Sequence, residues 1–254
     1  MRTVRELVAA GAGKALQPFG YEVRDRILSE KPEGFPGYVE AAQRLGMDVN
    51  DYEEKQLGWY PAEPLLEATT FQHLRPDSVV CEIGQGTGRF SRVIVPRIPQ
   101  GQLHLVDHSA WMVRFLDGYF RGQPQVRVHL GDGQSLPFPQ SGWMDVVFVA
   151  GTLVALKLGT IHLYAREFAR VLKPGGVVIF DYIDPTTAEG WAHLETEGHR
   201  LADVYTYHAP EVIDRVFADA GFAAFQRQQF GKSTYFSAMR APAAAPSTSG
   251  RGLG

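Results

Sequence analysis

Cysteine is almost missing from this chain. Cys81 stands alone among 254 residues, so no internal disulfide, Cys-x-x-Cys redox pair or Cys-rich zinc site can form. A surplus of positive charge is missing as well. Lys and Arg number 25 against 28 Asp and Glu, a formal net charge of −3, whereas nucleic-acid binding draws on clustered cations and a basic balance. Long apolar runs are lacking too: the longest, near 146–156, is about half the 20 residues a membrane span needs. Arg5, Glu6 and Lys14 interrupt the weak apolar stretch at the start, unlike a secretion signal. These absences lead us to expect a cytoplasmic protein with no membrane span, no bound metal and no nucleic-acid partner.

What is present suits a folded domain. With 44% hydrophobic residues, 27 Gly and 16 Pro, the chain can build one full core or two small ones. Residues 1–75 mix short helical patterns with turn signals and carry Phe35, Tyr38, Tyr52, Trp59 and Tyr60, reading as a helical appendage or lid. Residues 76–240 alternate short β-rich runs with helical stretches. Residues 241–254 lack the apolar side chains that would offset ordering entropy, and are expected to be a disordered tail.

In the middle zone the strands are expected at Val79–Ile83, Leu103–Val106, Val126–Leu130, Asp145–Val149 and Val177–Phe180, and helices at Arg89–Arg97, Ala110–Phe120, Ile161–Leu172 and Pro210–Ala220. Alternation of this kind predicts a doubly wound, mostly parallel α/β sheet covered on both faces. The last two strand-like runs, Phe222–Phe230 and Ser233–Met239, are separated only by Gly231 and Lys232. So short a link suits a hairpin, so one C-terminal strand must run antiparallel to the rest.

The chemistry starts at Glu82-Ile83-Gly84-Gln85-Gly86-Thr87-Gly88, where the first strand turns into the next helix. Glycines there let backbone approach a nucleotide-like ligand. Dinucleotide binding asks for G-x-G-x-x-G, but the sixth position is Arg89 counted from Gly84 and Ser91 counted from Gly86, which disfavours an NAD-dependent oxidoreductase. The spacing is G-x-G-x-G. Together with Asp107 ending the second strand, Gly131-Asp132-Gly133 after the third and Leu172-Lys173-Pro174-Gly175-Gly176 before the fifth, it resembles the class I S-adenosylmethionine (SAM)-dependent methyltransferases over about 78–239.

That resemblance implies a Rossmann-like seven-stranded sheet and SAM as cofactor. It implies a ribose diol on Asp107 beside His108, and adenine near Asp132, Gly133 and Gln134. Glu82 would lie near the methionyl ammonium, Gly84, Gln85, Gly86 and Gly88 would form the backbone cradle, and Ala150 and Gly151 would line the sulfonium side. Glu82 departs from the Asp usual at its position. Lys173–Gly176 reads as structural, ending a helix and turning into a strand. The acceptor is expected to be a small molecule, methylated at a hydroxyl oxygen; weaker similarity to bacterial polysaccharide- and natural-product-associated members points the same way. Residues 184–209 are too long for an ordinary connection and read as an insertion over the pocket, with His199 and His208 as candidate bases. A SAM-binding protein with a structural cofactor or a non-methylating activity stays open, and an RNA methyltransferase is disfavoured by charge. Asp48–Glu53 lacks the glycine and ligand spacing of a calcium loop and reads as a turn. Arg89, Arg92 and Arg97 read as a solvated helix face.

Overall fold

Val146 and Phe148 face one layer of the core and Val147 and Val149 the other, each at most 1% exposed. A strand buried on both sides belongs in the middle of a parallel sheet. The computed structural model describes residues 34–199 and 204–242; the tail lies outside them from residue 243 on. Among the described residues, seven strands form one sheet in the order β3-β2-β1-β4-β5-β7-β6. They are β1 (Val79–Ile83), β2 (Gln102–Asp107), β3 (Val126–Leu130), β4 (Met144–Val149), β5 (Leu172–Tyr182), β6 (Phe222–Phe230) and β7 (Ser233–Arg240). The first five pair in parallel, while β7 runs antiparallel to both β5 and β6. The antiparallel C-terminal strand expected from the short hairpin link is therefore β7, and the fold is α/β and Rossmann-like.

Two helical layers cover the sheet. On one face lie α3 (Ala62–Thr69), α4 (Ser91–Ile94) and α5 (Ala110–Tyr119), packed around Leu66, Ile94, Leu105, Leu116 and Phe148. On the other lie α6 (Leu158–Val171) and α8 (Pro210–Asp219), around Phe168, Phe180, Phe217 and Phe236. The remaining helices among the described residues are α1 (Phe35–Arg44) and α2 (Val49–Lys55) in the N-terminal segment and α7 (Ala188–Glu197) within the 184–209 connection. The helix expected over Arg89–Arg97 is only the four residues of α4 followed by a 3-10 turn, Val95–Arg97, because Pro96 cannot donate to the helical ladder. The turn expected at Asp48–Glu53 is instead a helix start: Asp48 accepts the backbone N–H of Asn50 at 2.9 Å and caps α2.

Lys173–Gly176 lies inside β5 as a bulge, since the ladder passes from Met144–Leu172 directly to Val146–Val177. Lys173 Nζ holds the bulge to Asp145 at 3.0 Å.

At the other edge His104 of β2 and His129 of β3 meet at 3.0 Å, Nδ1 to Nε2, with Phe138 and Trp143 edge-on to His104. Burial first, then His129 and Arg127, push His104 down to about 4, and burial lowers His129. A depressed imidazole binds fewer protons folded than unfolded, so its stabilising effect is full above the unfolded value near 6.5 and is lost as pH falls toward 4. We predict that the melting-temperature advantage of wild type over His104→Gln shrinks as pH drops from 7 to 4.5. A constant difference in thermal melts would show that the pair is not held neutral.

Candidate functional site

The strand order reverses between β1 and β4, where β1 turns toward β2 on one side and β4 leads to β5 on the other. Ligands of doubly wound sheets bind at the carboxyl ends of the strands beside that point. The glycine loop leaves β1 there, with the Gly84 N–H on Val106 O at 3.0 Å. Gly84 has φ +64°, and a Cβ on it would stand 2.1 Å from Thr152 Oγ1. Gly86, at φ +55°, has the Phe35 ring 3.1 Å from where its Cβ would be. Both positions need glycine for conformation and for room. Gln85 between them is 5% exposed, and neither atom of its amide has a partner among the described residues. An unmet buried amide is costly, so the loop is shaped for something that binds it.

Glu82, 1% exposed at the end of β1, accepts the Ser91 hydroxyl at 2.6 Å, and burial pushes its carboxyl up to about 8. Asp107 ends β2 at 8% exposure; its Oδ1 accepts the Ser109 N–H at 2.7 Å and burial raises its pKa. Ser109, not Asp107, caps α5 by accepting from Met112 N. After β3 the Gly131 N–H donates to Asp107 O at 2.8 Å, which places Asp132, Gly133 and Gln134 next to His108. Asp132 accepts from the N–H groups of Gln134 and Ser135 and from the Ser135 hydroxyl, which holds its carboxyl below the usual range. The Gln134 N–H is thus used within its own turn. Ala150 and Gly151 follow β4, and Gly151 N donates to Asp181 Oδ1 at 2.7 Å. Gly88 closes the loop with its N–H on Gln85 O at 3.0 Å, and these positions lie together at the carboxyl ends of the strands.

The N-terminal segment reaches the same edge, a contact that spacing did not reveal. Phe35, Tyr38 and Trp59 pack edge-to-face above the loop with centroids 5.9–6.4 Å apart. Asn50 and Glu53 of α2, both fully buried, meet the Thr87 hydroxyl, and burial pushes Glu53 up to about 7. Arg89 and Arg92 are not a solvated face. Arg92 pairs with Asp51 at 2.6 Å and Glu54 at 3.5 Å, while Arg89 donates to Tyr60 O and lies over the Phe90 and Trp59 rings. Arg97 pairs at the surface with Glu63 and lies over the Phe71 ring.

In the 184–209 connection His193 Nδ1 meets Tyr207 Oη at 2.9 Å and Lys232 lies 3.6 Å from the Tyr205 ring centroid. His208 is half-buried beside Thr206 Oγ1 at 3.1 Å, and burial lowers its pKa. His199 is exposed beyond α7. Asp181, buried at the end of β5 between Gly151 N and Ser233 Oγ, escaped the sequence reading although its signal, an acid closing an apolar strand, is the same as for Asp107. The open groove of about 540 Å³ bordered by Arg75, Asp145 and Lys173 lies at the opposite end of the strands. Among the described residues no helix is long and apolar enough to cross a membrane, and no group of three or more potential ligands gathers for a metal.

Residues 80–176 match a family model described as a methyltransferase domain. The chain is 28% identical over 137 residues to the malonyl-[acyl-carrier protein] O-methyltransferase of Methylococcus capsulatus, covering 54% of this chain and 47% of that one. It is 26% identical over 153 residues to the ubiquinone/menaquinone biosynthesis C-methyltransferase of Caulobacter vibrioides, covering 56% and 54%. It spans about half the length of the curated relatives it matches. Its fold is shared with human N-acetylserotonin methyltransferase in complex with SAM, at TM-score 0.62 and 17% identity over 93% of this chain and 65% of that one.

Proposed function

We propose that the chain, whose residues 80–176 match a methyltransferase domain model, transfers the methyl group of SAM to a hydroxyl oxygen of a small molecule. The observation that carries this reading is the glycine loop with its unpartnered Gln85 amide, flanked by two buried carboxylates, Glu82 and Asp107. A backbone cradle, a hydrogen-bonding side chain without a partner and acidic groups suit a ligand with an ammonium, a ribose diol and an adenine. When bound, SAM supplies an electrophilic methyl on a sulfonium.

The chain's own residues then have three tasks. Asp107 and His108 hold the ribose, Asp132 and the Gly133 N–H face the adenine, and Glu82 and Gln85 with the loop backbone hold the methionyl end. Phe35, Tyr38 and Trp59 keep water from the loop, which favours a displacement driven by positioning. Ala150, Gly151 and the short apolar stretch after them leave the acceptor side without an acid or a histidine from β4. Burial lowers the pKa of His208, which favours the uncharged form a base needs, and with His199 it stays our candidate if the acceptor must lose a proton. We also keep 1–75 as a lid, 76–240 as the catalytic domain and 184–209 as a roof, although 1–33 and 200–203 lie outside the described residues; α2 meets the glycine loop through Thr87.

Titration calorimetry with SAM, with its demethylated product and with NAD tests the proposal. SAM and its product are expected to bind and NAD to give no heat; binding of NAD alone would reject it. Screening metabolites with methyl-labelled SAM then identifies the acceptor, and label recovered on carbon or nitrogen would reject the hydroxyl.

A further inference from the structure

Thr87 Oγ1 lies 2.8 Å from Asn50 Oδ1 and 2.8 Å from each oxygen of Glu53. A hydroxyl has one proton to donate, and an ionised carboxylate has none. If Glu53 were ionised, either it or the Asn50 carbonyl would be left buried without a donor. With Glu53 as a neutral acid the count closes. Its O–H donates to Thr87 Oγ1, and Thr87 donates to Asn50 Oδ1. Asn50 Nδ2 donates to Tyr119 Oη at 2.8 Å, and Tyr119 donates to Asp48 Oδ2 at 2.8 Å. The chain of donors runs from α2 through the glycine loop to α5 and back to the cap of α2.

The charges around Glu53 fit this count. Arg89 and Arg92 face it from the loop side and Asp48 from its own segment. Neither arginine bonds to it: Arg92 is taken by Asp48, Asp51 and Glu54, and Arg89 by Tyr60 O and by Glu54 at 3.9 Å. Two residues before Thr87, Gln85 offers its unpartnered buried amide, which marks the same loop as the place where a ligand binds.

We propose that Glu53 is a cofactor-responsive carboxylate: as a neutral acid it fastens the N-terminal segment to the glycine loop, and it yields its proton to solvent when a positively charged cofactor binds there. The inference rests on the SAM-dependent reading above. A positive charge brought near a buried carboxyl favours its ionised form. Thr87 then turns its hydroxyl to Glu53, and Asn50 Oδ1 is freed to accept from an ammonium N–H. Because the free protein holds more protons than the complex, affinity for SAM rises with pH through neutrality.

The test is calorimetry of the full chain with SAM in two buffers of unlike ionisation enthalpy, at pH 6, 7 and 8. Glu53→Gln keeps a donor toward Thr87 but cannot ionise. It is expected to release about half a proton less than wild type at pH 7, with the deficit larger at pH 6 and fading at pH 8. Glu82 titrates in both proteins and cancels. Equal release by the two proteins would overturn the inference while leaving SAM binding intact, and no binding of SAM would remove the functional reading along with it. Should the variant not fold, Glu82→Gln takes its place: proton release on SAM binding that persists at pH 6 and fades toward pH 8 supports the inference, and no release at pH 6 overturns it.

Discussion

Replacing Asp107 by alanine is expected to weaken SAM binding by about 1–3 kcal/mol, roughly 5- to 150-fold, with the fold retained. The carboxylate sits at the end of β2, 8% exposed, with Oδ1 held by the Ser109 N–H. Two acceptor oxygens on one rigid group match a vicinal diol, and bonds to an ionised acceptor are the strong kind. The helix that follows does not depend on this side chain, because Ser109 caps α5 through Met112 N. Circular dichroism should therefore be unchanged while calorimetry reports the loss. Asp107→Asn keeps one acceptor and should fall between the two. Unaltered affinity in the alanine variant would remove Asp107 from the ribose role.

Phe217→Ala is expected to cost about 3–5 kcal/mol of stability. Phe217 is fully buried on α8 and stacks on Phe180 of β5 at 4.7 Å, with Phe236 of β7 at 5.3 Å and Phe222 of β6 at 5.5 Å. One ring thus touches three strands, two of which are held to the sheet only through β5. Truncation leaves a cavity whose walls are themselves strand residues and cannot collapse inward. Urea denaturation should show a lower midpoint with the slope kept. A loss under about 1 kcal/mol would mean that the aromatic cluster repacks.

The sheet was readable because its signal is local. Val79–Ile83 and Val126–Leu130 begin and end where turn residues bracket apolar runs, and the Gly231-Lys232 link is short enough to force a hairpin. The edge bearing the candidate site was readable for a related reason: Glu82 and Asp107 close their strands and Asp132 and Gly151 follow theirs, and the carboxyl ends of parallel neighbours share one side of the sheet. Residues that act across long separations carry no period. Glu53 meets Thr87 across 34 positions and Asn50 meets Tyr119 across 69, and nothing in the intervening sequence marks either pairing. The cap at Asp48 carried a local signal, an acid opening a helical stretch with Asp51 three residues on, which the comparison with a calcium loop obscured. Arg89 and Arg92 looked solvated because a helix face shows its charge in sequence but not the segment laid over it.

The place of β7 between β5 and β6 bears on how the chain assembles during synthesis. Strand β5 ends at Tyr182, and its second neighbour, Ser233–Arg240, is made about 50 residues later. Throughout that interval a ribosome-bound chain carries β5 with one row of backbone groups unpaired and with Phe180 not yet covered by Phe236. Such an edge is a template for other chains. The β6–β7 hairpin, whose own turn is local, can form quickly but has its partner only in β5. A chain that stops before residue 233 would keep that edge of β5 open, because every residue that pairs with it lies in 234–239.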